Sequence, residues 1–394
     1  MSRSVLIIGG GASGLMAAIQ AARLDAAVTI LEQNTKPGKK LLCTGNGKCN
    51  LTNTEQESTD YRGTNPGFAR DVLKSFTVQD TIRFFLEIGI YTKNRSGYVY
   101  PYSEQAASVL ETLEMEARYR KVKIKTKEQV QKVAKTPDGF AVTTGTWTYT
   151  CDRLILAAGS CASSIEGATG SGYALAESLG HSMIKPLPAL VPLQGSGNYF
   201  SKWAGVRVQA QATLIANDLR LKQVTGEVQL TDYGLSGIPI FQLSRYVARL
   251  LDEHCTAAVS LDFLPDFTLE TLIPFLENRM QQCPYKNMQD ALVGLFPKKL
   301  IEVLMGQAQD VETLAECIKD FVVPITRTLS FEHAQVCSGG VATEEIFADT
   351  MESRLVPGLF FAGEVVDIDG ACGGYNLQWA WSSGTIAGRC AAGE

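Results

Sequence analysis

The chain has 394 residues, 45% of them hydrophobic and 20% charged, and a formal net charge of −5. That length exceeds what one hydrophobic core fills and predicts more than one domain of an ordinary globular protein. The charge excludes an electrostatic footprint for nucleic acid or an anionic membrane surface. The N-terminal apolar run, SVLIIGGG, is too short to cross a bilayer and breaks into glycines. Ten cysteines with no framework spacing and no export signal predict a reduced, cytoplasmic compartment.

Val5 to Ile8 are continuously apolar, as a strand covered on both faces should be. Gly9-x-Gly11-x-x-Gly14 then opens an alanine-rich helix, and a second strand, AVTILE, ends in Glu32. Gly9 allows the tight turn, Gly11 lets the backbone approach a pyrophosphate, and Gly14 lets helix and strand pack closely. Ala12 and Ser13 start the helix, where free N–H groups and the positive dipole end meet phosphate. Glu32 stands 18 residues after Gly14, where a carboxylate accepts from a ribose diol, with Gln33 beside it. Such an acid admits FAD or NAD and disfavours a 2′-phosphate; this segment alone does not choose between them.

Next comes KKLLCTGNGKCNLTN, residues 39–53. Three readings compete: a loop whose backbone holds a cofactor, a redox dithiol of Cys43 and Cys49, and a metal site. The C-x5-C spacing, with Gly45 and Gly47 between, favours a loop over a dithiol on a helix. A metal finds no CxxC or His pair, since His181, His254 and His333 are far apart in sequence. If the loop reading holds, as the family resemblance given below implies, the cofactor-binding candidates are Lys40, Leu41, Thr44, Gly45, Asn46, Gly47, Cys49, Asn50 and Leu51; no metal ligand is assigned. GYVYPYS follows and offers Tyr98 and Tyr100 as substrate-facing rings.

CDRLILAAGS (151–160) is an apolar strand ending in small residues, preceded by the alternating GFAVTTGTWTYT. Val130, Ala158 and Gly159 join the cofactor candidates. From Val206 to Leu230 the chain alternates, and DLRLKQVTGEVQLTDYG reads as strand, turn and strand. Residues 268–322 switch to helical periodicity with Pro, Gly and Asp breaks, and TRTLSFEHAQV returns to strand. Tyr233 and His333 in this region are further substrate candidates. At the C-terminus GLFFAGE reads as a buried strand ending in Gly363-Glu364, and GGYNLQWAWSSGTIAG as a glycine turn entering a helix. Glu364 is placed to accept from cofactor hydroxyls. The amides of Gly374, Asn376 and Leu377 would point a helix dipole at the cofactor, at the pyrimidine end if it is a flavin. No second strand–GxGxxG–helix–strand–acid unit exists, so NAD(P)H would have to dock without a Rossmann domain of its own.

The strings GGGASGLMAA, PGKKLLCTGNGKCNLTN, GYVYPYSEQA, SGGVATEEI, TMESRLVPGLFFAGEVVDIDG and GGYNLQWAWSSG together resemble the bacterial three-domain FAD-binding flavoproteins, the aminoacetone oxidase and BaiN-like group, over nearly the whole chain. The resemblance implies FAD as cofactor, NAD(P)H as candidate transient electron donor, and a small-molecule substrate with neither nucleic acid nor membrane as partner. It implies an α/β fold: a Rossmann-like FAD domain with an inserted β-barrel-like domain that itself carries a small helical bundle. The expected boundaries are 1–187 with 338–394, 188–267 with 323–337, and 268–322. The substrate is expected between the flavin and the barrel domain. The sequence departs from the pattern at Asp232, where the family often has histidine, at Ile238 for proline, and at Cys337 for threonine. Three functions are weighed: an NAD(P)H-driven reductase of a C=C or C=O bond, an amine oxidase using O₂, and an FAD-bound redox sensor without turnover. Hydride chemistry asks few acids of the protein, so the sequence marks no catalytic residue by itself; Tyr375, beside the flavin in this resemblance, is the candidate to protonate a substrate carbon after hydride arrival.

Overall fold

The computed structural model describes residues 2–57 and 59–393 and divides into two compact units, residues 1–186 with 336–394, and residues 187–335. The first unit contains strands β1 (Ser4–Ile8), β2 (Ala27–Glu32), β3 (Lys123–Thr126), β4 (Arg153–Leu156), β5 (Val336–Val341) and β6 (Leu359–Phe361). Its principal helices here are α1 (Ala12–Arg23), α2 (Lys39–Cys43), α3 (Ser171–Ser178) and α4 (Tyr375–Ala392). A parallel sheet runs in the order β6-β4-β1-β2-β3. Ile8 sits level with Leu31 and Leu156, so the carboxyl ends of the central strands open on one edge. That edge is where ligands of open α/β sheets bind. The alternating stretch before β4 forms an antiparallel sheet of 130–136, 139–144 and 148–151.

Small residues let α1 and α4 meet backbone to backbone. A Cβ on Gly384 would lie 2.5 Å from the Ser13 carbonyl oxygen, and one on Gly388 2.3 Å from that of Ala17. The rest of α4 is buried nearly all round, including Trp379 and Trp381. Each indole N–H is satisfied, Trp379 by the Gly363 carbonyl at 3.0 Å and Trp381 by that of Leu51 at 2.9 Å.

The second unit is a closed antiparallel barrel of 193–195, 234–237, 219–230, 207–216, 257–262 and 321–328. The helices Leu269–Gln282, Lys298–Met305 and Val311–Lys319 share its apolar core, where Leu214, Val259, Trp203, Leu300 and Leu314 cluster. The helical stretch therefore has no core separate from the barrel's. Two local expectations are corrected. The long hairpin turns at Asn217-Asp218, both at positive φ (48° and 63°), the pattern of a type I′ turn. Thr225-Gly226 lies mid-strand instead, with Gly226 opposite Ala210 and under Pro239. The strand after the helices ends at Thr328, and His333 sits in a 3₁₀ turn, Phe331–His333, not in a strand.

Because the atom facing Gly388 is backbone, Gly388→Ala forces α1 and α4 apart. It should destabilise the first unit by about 1–3 kcal/mol, read as a lowered Tm by calorimetry; an unchanged Tm would show that the contact yields freely.

Candidate cofactor site

Glu32 organises the dinucleotide end. Its buried carboxylate accepts the Gly10 N–H at 2.9 Å on one oxygen, and the Asn34 backbone and side-chain N–H groups at 2.8 and 2.9 Å on the other. The end of β2 is thereby pinned to the glycine turn. The N–H groups of Lys127 and Glu128 donate to the carbonyls of Asn34 and Glu32, which lays the chain leading to the buried Val130 along the same edge. Gln33 donates to the Gly167 carbonyl at 2.6 Å. Gly9 takes φ +106°, and a Cβ there would collide with the Ala157 carbonyl at 2.3 Å. Around Gly11 and Gly159, by contrast, nothing stands within 4 Å of where a Cβ would be. No side chain caps α1 and no acid lies in its first turn, so Ala12, Ser13 and Gly14 present their amides to that space.

The second end gathers from three distant stretches. Lys40 of α2 pairs with Glu364 at 2.6 Å, while the other Glu364 oxygen is buried without a partner. Thr44 donates its hydroxyl to the Leu41 carbonyl at 2.6 Å, and Gly45, Asn46, Gly47 and Cys49 all take positive φ, which coils residues 44–49 into a tight turn. Leu51 returns to a strand-like bond with the Val99 carbonyl. Gly363 donates to Ser383 Oγ at 2.9 Å, and Ser13 Oγ donates to the Ala362 carbonyl, tying the Gly363-Glu364 turn to both helices. Gly374 begins α4 against Thr52 and the Asn50 side chain, whose oxygen is buried and unpartnered. The Asn376 side chain is committed to the backbone of Gly370 and Ala371, leaving its amide and that of Leu377 in an uncapped first turn.

Tyr98, Tyr100 and Tyr375 come together at this end. The Tyr98 ring packs on Gly373 and Tyr100 approaches Gly45. Tyr375 is the first helical residue of α4, buried, with its ring edge-on to Tyr61 at 6.0 Å. Burial pushes the Tyr375 hydroxyl up, helped by the nearby Asp60. Tyr233 and His333 belong to the other unit: Tyr233 is half-buried with its carbonyl accepting from Gly195, and His333 is exposed, bonded to Ser330 at 3.1 Å. Cys49 is fully buried and desolvation raises its thiol to about 12, which removes it as a nucleophile; Cys43 is on the exposed end of α2. Among the described residues no cluster of three or more His, Cys, Asp and Glu is placed for a metal, and no helix is long and apolar enough to cross a membrane.

Two uncapped helix N-termini, open space over Gly11 and Gly159, and buried acceptors on Asn50 and Glu364 without partners fit a long diphosphate ligand rich in hydroxyl and N–H donors. Fold and site together define an FAD-dependent oxidoreductase. The HI0933-like protein Rossmann domain matches residues 3–390, and the chain belongs to that family. A 3-dehydro-bile acid delta(4,6)-reductase of Clostridium scindens is 46% identical over 98% of each chain. A ribosomal RNA dihydrouridine synthase of Escherichia coli is 32% identical, covering 96% of this chain and 95% of that one. In fold, 3-ketosteroid delta1-dehydrogenase from Sterolibacterium denitrificans superposes with TM-score 0.54 at 10% identity, over 99% of this chain and all of that one.

A serine–histidine–glutamate line in the same unit invites a hydrolase reading that its bonding rejects. His181 Nδ1 meets Glu345 at 3.0 Å and Nε2 meets Ser353 Oγ at 2.9 Å. A carboxylate only accepts, so Nδ1 carries the proton and Ser353 donates to Nε2. Ser353 Oγ also accepts the N–H groups of Leu355 and Val356 at 3.0 and 2.8 Å, and is itself buried. A serine so enclosed and saturated is a structural bond, not a nucleophile. Burial holds His181 below the ordinary histidine range despite the pull of Glu345. A histidine with a depressed folded pKa contributes stability that is complete above its unfolded value, about 6.5, and is lost as pH falls below it. As pH falls below about 6.5 the native protein should therefore lose Tm more steeply than His181→Asn; parallel curves would remove His181 as the acid-sensitive group.

Proposed function

We propose that this enzyme saturates an electron-poor C=C bond, conjugated to a carbonyl, in a small organic molecule at the expense of NADH or NADPH. The observation that carries the reading is the relative named for delta(4,6) reduction of a 3-dehydro-bile acid, at 46% identity and end-to-end coverage. The dihydrouridine synthase name likewise describes loss of one C=C bond. That second relative favours an RNA substrate; the net charge of −5 favours a small molecule. Ten cysteines without a disulfide framework support a cytoplasmic enzyme.

FAD, when bound, supplies the hydride. The residues that would hold it are Gly9 to Gly14 and the α1 amides at the pyrophosphate, Glu32 at the adenosine ribose, and Lys40, Glu364 and the turn 44–51 along the ribityl chain. The first turn of α4 would face the pyrimidine edge, where its positive end steadies negative charge. Tyr98 and Tyr375 would flank the approach to that edge. Tyr375 Oη, raised by burial, keeps its proton through neutral pH and gives it up only to a strongly basic carbon or enolate.

The test is an anaerobic titration of the flavin-loaded protein with NADH, NADPH and aminoacetone, followed by addition of enones or of uridine-containing RNA. Bleaching by a nicotinamide and recolouring by an enone is the expected outcome. Bleaching by the amine alone would replace this reading with an oxidase, and recolouring only by RNA would replace the substrate class. Tyr375→Phe should lower substrate turnover by about 10²-fold while bleaching by the nicotinamide keeps its rate; loss of both rates together would deny it the proton step.

A further inference from the structure

A β-hairpin in the first unit carries more charge and more exposed ring surface than its own packing uses. Its strands, Thr92–Arg95 and Tyr98–Pro101, turn at Ser96-Gly97, both at positive φ. Lys93 stands opposite Tyr100 and Arg95 opposite Tyr98. The Tyr102 N–H donates to the Tyr91 carbonyl at 2.7 Å, which extends the register to a third pair. Side chains alternate across a strand, so these six share one face, while Val99 and Pro101 are buried on the other.

The face has two unlike ends. At one, the Tyr98 ring packs on Gly373, just before α4, and Tyr100 approaches Gly45. At the other, Tyr91 and Tyr102 are 68% and 64% exposed, with ring centroids 5.6 Å apart. Between the ends, three cations converge on one carboxylate. Lys93 and Arg95 both donate to Glu104 Oε1, and Lys48, from the turn 44–49, reaches Oε2 at 3.3 Å. Lys93 also lies 5.2 Å from the centre of the Tyr102 ring. The hydrogen bond from Lys93, aided by Lys48, holds the Glu104 carboxyl down to about 2, so it stays ionised and cancels one positive charge of the three. A further acid, Glu55, sits against the Gly97 turn, at the end away from Tyr91 and Tyr102.

We propose that this face is the docking strip of the nicotinamide dinucleotide that reduces the flavin, an inference that rests on the nicotinamide-driven reading above. The nicotinamide enters at Tyr98, the diphosphate lies on Lys93 and Arg95, and the adenine stacks against Tyr91 and Tyr102. The chain has one strand–GxGxxG–helix unit, which the flavin's own adenosine and diphosphate would fill, so the donor needs a place outside a Rossmann fold. The order of the strip, ring then charge then ring, is the order of base, diphosphate and base in a dinucleotide. Unbalanced cations suit phosphate, and exposed tyrosines offer a planar surface to adenine. From Tyr98 to Tyr102 the chain advances about 13 Å, which sets the two ring ends apart on either side of the charge.

The experiment measures binding of NAD⁺ and NADP⁺, which cannot reduce the flavin, to the FAD-loaded protein by equilibrium dialysis. The anaerobic bleaching rate with NADH and NADPH is followed in parallel. Tyr102→Ala should weaken dinucleotide binding about tenfold. Lys93→Gln combined with Arg95→Gln should weaken it several-fold and flatten its salt dependence. Bleaching at saturating donor, and bleaching by dithionite, should keep their native rates in both variants, which also shows that they fold. Bleaching by a nicotinamide with affinity unchanged in the variants would overturn the strip and leave the reductase reading intact. Binding that the variants weaken, without bleaching of the native protein, would keep the strip and remove the reductase reading. No binding of either dinucleotide to the native protein would overturn the proposal. So would variants that lose affinity for uridine-containing RNA while keeping it for the dinucleotides.

Discussion

The cofactor side of this protein depends on a contact that involves almost no side chains. α1 and α4 touch through Gly384 against Ser13 and Gly388 against Ala17, while Gly14 sits directly on the carbonyl of Gly9. Dispersion falls steeply with separation, so helices this close gain the contacts that bulkier residues would have kept apart. The closeness also fixes where α4 begins. Its first turn arrives against Thr52 and Asn50, and Ser383 and Trp379 reach back to hold the Gly363-Glu364 turn from both sides. The glycine fingerprint and the C-terminal helix are thus one mechanical assembly, although they lie at opposite ends of the chain.

That assembly carries costs that make sense only with a ligand. A buried acceptor left without a donor costs about 1–3 kcal/mol, and Asn50 and Glu364 each present one. Two helix starts lack caps where serine, threonine or aspartate would each add about 1 kcal/mol. By contrast, the helix Val78–Glu87, away from the site, has a full capping box between Thr77 and Asp80. An absent cap alone does not mark the site, since the helices Ala106–Tyr119 and Ile238–Asp252 also start without a side-chain cap; the unpartnered Asn50 and Glu364 oxygens do the distinguishing.

Legibility in the sequence followed the range of the forces. The β1–α1–β2 unit reads directly because its glycines, apolar run and terminal acid act within one short stretch. The barrel hairpin did not. Gly226 looks like a turn residue but is in mid-strand beneath Pro239, and the Asn217-Asp218 pair supplies the positive φ instead. His333 left the predicted strand because Ser330 to His333 coil into a 3₁₀ turn with their own side-chain bond. The candidate cofactor residues could be named one by one, but the Lys40–Glu364 pairing joins positions 324 apart and has no local signature. The periodicity of residues 268–322 gave helices correctly, but no periodicity shows that they fill a neighbour's core.

The position of α4 has a consequence for how the protein is made. The face of α1 that packs on it leaves the ribosome long before its cover, since the whole barrel unit is synthesised between them. At cellular rates of about 5–20 residues per second, that face waits for tens of seconds. The barrel unit, uninterrupted from 187 to 335, has all its strands in hand well before then. Synthesis therefore completes every strand of the barrel while the dinucleotide fold still lacks α4.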